Sequence, residues 1–251
     1  MLAKRIIACL DVKDGKVVKG KKFVGLKYAG EPAGLSQRYA SEGADEIVFL
    51  DISASNEKRK PNREWVRLAA EKLNVPFAVG GGISSVADAR QVLYLGADKV
   101  AVNTAAINNP RLISEIAEKF GSQCVVVAID AKRTDKGWKV FAYGGSKPTG
   151  MDAAGWSAEC EKLGAGEILI TSIDRDGTGN GFDCELTSKL AGGLGIPVIA
   201  SGGAGNQKDF LDAFTKGKAD AALAAGIFHY GKLSVGKLKQ YLKRNGVEVR
   251  T

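Results

Sequence analysis

Short runs of β-branched and aliphatic residues punctuate the chain: RIIACLD (5–11), EIVFLDI (46–52), PFAVGG (76–81), KVAVNT (99–104), CVVVAID (124–130), EILITSID (167–174), PVIASGG (197–203) and ADAALAAG (219–226). Each is apolar almost without interruption, as strands covered on both faces of a parallel sheet are. Between them the apolar residues take a helical spacing, in REWVRLAAEKL (63–73), SVADARQVLYLG (85–96), RLISEIAEKFG (111–121), MDAAGWSAECEKLG (151–164) and KDFLDAFTKG (208–217). Gly96, Gly121, Gly164 and Gly217 stand where helix C-caps are expected. Eight strand–helix units in 251 residues predict one (β/α)8 TIM barrel domain over residues 1–251. An open doubly wound sheet is the alternative, because alternation alone does not show closure.

The pattern also returns half a chain later. PFAVGGGISS (76–85) is answered by PVIASGGAGN (197–206), VFLDIS by LITSID, and GADKVAVNTA by GKADAALAAG, while the first and fifth strands both end in Asp. Turn glycines recur by chance in any such chain, but agreement across four strand pairs predicts two related half-barrels, approximately 1–121 and 122–251.

Composition narrows the function. The formal charge is +8, with Lys and Arg dispersed among 28 acidic residues, which suits anionic ligands in general and phosphorylated metabolites as well as nucleic acid. No basic patch interleaved with aromatics supports a nucleic-acid-binding module. IIACL is too short for a signal peptide, so the chain is expected to start at Met1, and no apolar run approaches the ~18 residues of a membrane span. Cys9, Cys124, Cys160 and Cys184 form no C-x-x-C pair and have no His nearby. They are read as reduced thiols of a cytoplasmic protein that needs no metal and no cofactor.

Barrels carry their chemistry at the C-terminal ends of the strands. The clusters GGGISS and SGGAGN suit backbone binding of phosphate where a loop opens onto a helix. With the ends of the fourth and eighth strands they define one anion site per half, Gly82, Asn103 and Thr104 in the first and Gly203, Ala225 and Gly226 in the second. A ligand with a phosphate at each end follows. Asp11 and Asp130 end opposite strands and are expected to face each other across the mouth, where two carboxylates can divide acid and base work. In ITSIDRDGTGNG, Asp176 and Gly177 are expected to face the ligand; a turn with a salt bridge to Arg175 is the plainer reading. The long basic loop VKDGKVVKGKKFVGLKYAG is expected to close over the substrate, with Lys19 as its contact. The lone His229 is read as structural, which leaves base chemistry to Asp. At the opposite mouth, Arg5, Glu46, Lys99 and Glu167 point inward and are expected to form a salt-bridge ring that plugs the barrel.

Taken in order, MLAKRIIACLDVKDG, VFLDI, VGGGI, DKVAVNTAA, VVVAIDAK, GAGEILITSIDRDGTGNG, IASGGAG and YLKRNGVEVR span essentially the whole chain. On these motifs the chain closely resembles the cyclase subunit of imidazole glycerol phosphate synthase, from histidine biosynthesis. The resemblance implies a barrel of two related halves and the doubly phosphorylated substrate phosphoribulosyl-formimino-aminoimidazole carboxamide ribotide. It also implies a glutaminase subunit docked at the N-terminal face, forming a heterodimer and sending ammonia through the barrel. Asp11 and Asp130 match the family's catalytic carboxylates, with the acid and the base unassigned. Arg5, Glu46, Lys99 and Glu167 match its ring at the ammonia entrance, which revises the plug to a gate, and Asp98 beside them becomes a docking contact. Gly226 and Gly144 stand where the family often has a hydroxyl residue, and Lys218 lengthens the segment before the eighth strand by one. The sister isomerase of the same pathway is the nearest alternative; ACLDVKDGKVVKG, the charge ring and DAKR favour the cyclase.

Overall fold

The computed structural model describes residues 2–21, 24–54, 57 and 59–250, and their side chains apart from those of 19–21 and 24–27. β1 (Arg5–Lys13) runs into a hairpin, β2 (Lys16–Lys21) and β3 (Val24–Gly30), before α1 (Pro32–Ser41). β4 (Glu46–Asp51), α2 (Arg63–Lys72), β5 (Phe77–Gly80) and α3 (Val86–Tyr94) follow, then β6 (Lys99–Val102), a short α4 (Thr104–Asn108) and α5 (Arg111–Phe120). The same order returns with β7 (Val125–Thr134), β8 (Gly137–Ala142), β9 (Lys147–Asp152), α6 (Ala153–Lys162), β10 (Glu167–Ser172) and α7 (Cys184–Ala191). β11 (Val198–Ser201), α8 (Gln207–Thr215), β12 (Ala221–Ala224), a short α9 (Gly226–His229) and α10 (Val235–Arg244) complete it.

β1, β4, β5, β6, β7, β10, β11 and β12 pair in parallel, each with the next, and the β12–β1 pairing closes the ring. This is a (β/α)8 barrel, not an open sheet. Side chains alternate along each strand. One set, including Ile6, Ile47, Val79, Val100, Val127 and Ile168, packs outward under the helices, and the other, including Ile7, Cys9, Val48, Ala101, Val126 and Leu169, fills the interior. Side-chain caps fix where helices begin: Asn62, Ser85, Asp152, Asp183, Asn206 and Ser234 each accept a backbone N–H of the first turn.

Two expectations need correction. The segment after β1 is an antiparallel hairpin rather than a loop: Asp14 and Gly15 both take positive φ between the register partners Lys13 and Lys16. That is the Asp-Gly hairpin turn, whose backbone twist matches that of the strands. A second hairpin, β8–β9, occupies the matching place after β7 and takes in Met151 and Asp152, which the helical spacing assigned to a helix. The other correction is at Gly217, which is not in the left-handed region; Lys218 is, with φ 55°, so the extra residue before β12 takes the strained position.

The first and last described segments meet. Lys4 forms a parallel bridge with Val249, and its N–H donates to the Glu248 carbonyl at 2.8 Å. Nearby, α10 is fixed to the barrel by Lys239, whose ammonium lies 2.8 Å from the buried Asp45 carboxylate, while the other oxygen of Asp45 accepts the Ile6 N–H. No helix among the described residues is long and apolar enough to cross a membrane.

Candidate active site

The interior residues Ile7 and Cys9 on β1 and Val126 on β7 set a two-residue period that continues to Asp11 and Asp130 at the strands' C-terminal ends. Both carboxylates therefore belong to the interior face, and both residues are buried, at 6 % and 8 % exposure. The Cys9 thiol lies 3.5 Å from Asp11 Oδ1. Asp130 Oδ2 accepts a hydrogen bond from Asn103 Nδ2 at 2.9 Å. Burial pushes the Asp130 carboxyl up to about 6, against the pull of the Asn103 hydrogen bond and with the added push of the Asp176 charge. A carboxyl so placed keeps an appreciable protonated fraction near neutrality.

Asp176 sits on the loop after β10, anchored by its N–H to the Ser172 carbonyl at 2.9 Å, and Gly177 follows it with φ 69°. Asn103, expected among the anion contacts, spends its side-chain amide on Asp130. Thr104 is buried, and its hydroxyl oxygen accepts the Tyr143 N–H at 2.9 Å, which ties the start of α4 to the turn of the β8–β9 hairpin and leaves the hydroxyl hydrogen able to donate. Lys19 falls on β2, among the residues whose side chains lie outside the described part.

The two glycine clusters sit alike. β5 pairs with β6, and β11 with β12, so continuing each register sets Gly82 beside Asn103 and Gly203 beside Ala225. A Cβ on Gly82 would stand 2.3 Å from the Arg59 carbonyl oxygen, and one on Gly203 would stand 2.1 Å from that of Gly181. Both glycines also have positive φ, +74° and +109°. Each is fixed by a close backbone approach as well as by its turn.

Just ahead of the helices that follow, α3 and α8, backbone N–H groups are engaged by the chain's own carboxylates. The N–H of Ser84 donates to Asp88, and those of Gly205 and Asn206 donate to Asp209. Burial opposes ionisation of Asp88, but hydrogen bonds from Ser85, Lys60 and Ser84 outweigh it and hold the carboxyl below its usual range. The short α4 and α9, beginning at Thr104 and Gly226, carry no side-chain cap.

One residue set went unassigned in the sequence. Asp51, at the end of β4, is buried and accepts from Arg59 Nη1 and Nη2 at 2.8 and 3.2 Å, from Ser53 and from the Ala54 N–H. This clamp holds the β4–α2 loop, and with it the Arg59 carbonyl, over Gly82. Asp51 was marked by its place in the repeat, whereas Arg59 lies outside every motif singled out in the sequence.

At the other mouth the four charged residues close into a ring. Arg5 Nη1 is 2.9 Å from both Glu46 and Glu167, and Lys99 Nζ is 2.9 Å from Glu46 and 3.1 Å from Glu167. Burial raises the Glu46 carboxyl, Lys99 lowers it and the Glu167 charge raises it again. Glu167 Oε2 is buried and has no hydrogen-bond partner among the described residues. Asp98, next to Lys99, is exposed and accepts the Phe77 N–H at 2.9 Å. His229 lies within hydrogen-bond distance, 2.5 Å, of the buried Tyr39 hydroxyl, between α9 and α1. Among the described residues no cluster of His, Cys, Asp and Glu could hold a metal ion.

A family model described as histidine biosynthesis protein matches residues 5–234. The imidazole glycerol phosphate synthase subunit HisF of Flavobacterium johnsoniae is 57 % identical over 250 residues, covering 100 % of both chains. The subunit HisF of Metallosphaera sedula is 57 % identical over 251 residues, again over 100 % of both. That of a Dehalococcoides mccartyi strain is 56 % identical over 250 residues, 100 % of this chain and 99 % of the relative.

Proposed function

The chain belongs to the histidine biosynthesis protein family, as a HisF-type subunit of imidazole glycerol phosphate synthase, and from that premise we propose how its two mouths work. It is the cyclase subunit, an enzyme of the lyase type, and works beside a partner subunit.

The substrate is phosphoribulosyl-formimino-aminoimidazole carboxamide ribotide. One of its phosphates is held at Gly82, Asn103 and Thr104, and the other at Gly203, Ala225 and Gly226, with Lys19, Asp176 and Gly177 over the middle. Ammonia adds to the ribulosyl ketone, the imidazole ring closes, and aminoimidazole carboxamide ribotide leaves. Asp130 supplies the proton and Asp11 removes one. The observation that carries this division is the burial of Asp130, which with the Asp176 charge outweighs the Asn103 hydrogen bond and keeps the carboxyl near half-protonated at about pH 6.

A glutaminase subunit docks at the N-terminal face, with Asp98 among its contacts, and delivers ammonia to the ring of Arg5, Glu46, Lys99 and Glu167. The ring acts as a gate. Glu167 Oε2 offers a buried acceptor to an N–H donor there, and the apolar interior above it favours neutral ammonia over ammonium. The test is turnover of the ribulosyl substrate with ammonium salt, and with glutamine plus the glutaminase partner. Consumption in both is expected; turnover of the ribosyl precursor alone would overturn the reading.

A further inference from the structure

The two carboxylates stand in matched frames with unmatched neighbours. β6 delivers Asn103 beside β7, and β12 delivers Ala225 beside β1. The two residues share an uncommon backbone conformation, φ −135°, ψ −95° for Asn103 and φ −121°, ψ −74° for Ala225. One half thus presents an amide where the other presents a methyl group. We infer that Asn103 is a positioning residue, whose amide orients the buried Asp130 carboxyl and can partner it both when it is ionised and when it carries a proton.

The chemistry of the amide suits both states of the acid. With Asp130 ionised, Asn103 Nδ2 donates to Oδ2, the contact present at 2.9 Å. With Asp130 protonated, a half-turn of the amide turns Oδ1 to accept the carboxyl hydrogen. Oδ1 is buried and has no other hydrogen-bond partner among the described residues, so the acceptor is in reserve at the right place. Asp176, on the loop after β10, is the charged group that acts on Asp130, and its effect opposes that of the neutral Asn103 amide. The register neighbours of Asp130, Thr171 on β10 and Phe141 on β8, carry no charge.

The role in catalysis rests on Asp130 being the acid, and the experiment separates the two claims. The full chain labelled at its Asp carboxyl carbons is titrated by NMR as wild type, Asn103→Leu and Asn103→Ser, and the pH dependence of kcat is measured with ammonium salt. In Asn103→Leu the Asp130 titration is expected to move up by about one pH unit, the scale of one lost charge-assisted hydrogen bond. The alkaline limb of kcat moves with it, and KM changes less than kcat. Asn103→Ser, which can still donate and accept, returns part of the shift and carries the test should the Leu variant fail to fold. An unchanged Asp130 titration in the folded variants overturns the inference. A titration that moves without the rate profile keeps the amide–carboxylate link and sinks the assignment of Asp130 as the acid.

Discussion

Gly181 and Gly203 lock two loops together: the Gly181 N–H donates to the Gly203 carbonyl at 2.8 Å, and its own carbonyl oxygen lies 2.1 Å from where a Cβ on Gly203 would stand. Gly203→Ala must push the loop after β10 outward and hold φ +109° with a side chain. A stability loss of about 1–3 kcal/mol is expected, the cost of a strained backbone position. KM for the doubly phosphorylated substrate should rise at least ~10-fold with a smaller change in kcat. An unaltered KM would remove this cluster from substrate binding.

Asp130→Asn trades activity for stability. The folded carboxyl, at about 6, holds its proton more tightly than the ordinary value of 3.8, so the folded state binds more protons than the unfolded one. Stability is therefore greatest at acid pH and falls as pH rises from about 4 through 6. About two units of difference corresponds to roughly 3 kcal/mol as an upper bound. The Asn variant should melt higher than wild type at pH 7.5 and show no such advantage at pH 4, while turnover drops at least ~100-fold. Equal melting at both pH values would contradict the raised carboxyl.

Asp11→Asn should also lower turnover at least ~100-fold, with a lesser effect on substrate binding. Stopped-time assays with ammonium salt measure it without the partner. Rates like those of wild type would take Asp11 out of the mechanism.

Lys99→Met leaves Arg5 alone between two buried carboxylates. Breaking a buried pair on one side costs about 3 kcal/mol, read by denaturant unfolding. With the partner present, the ratio of glutamine-driven to ammonium-driven turnover should change; an unchanged ratio would argue that the ring gates nothing.

The alternation of apolar runs with helical spacings made the barrel legible, because strands buried on both faces need continuous hydrophobicity. The repeat pointed to Asp11 and Asp130 as a matched pair. The hairpins were hidden by their charge: KVVKGK reads as a solvated run, although the Asp14–Gly15 turn that builds it was in plain sight. The Asn103 contact was missed for another reason. Its sequence neighbour Thr104 and the repeat both suggested an anion site, and the direction of one side chain across paired strands is set by register, which one strand's sequence does not contain. The clamp of Arg59 on Asp51 depends on a loop closing back over its own strand end, again a tertiary fact.

The bridge between Lys4 and Val249 has a consequence for how the chain is ordered. A closed ring of strands has no first member, and where the outermost segments touch, a short peptide joining them would leave every other contact in place. A circular permutant opened in the turn between α5 and β7, with residues 4 and 249 linked, should assemble the same ring from a chain that reads second half first.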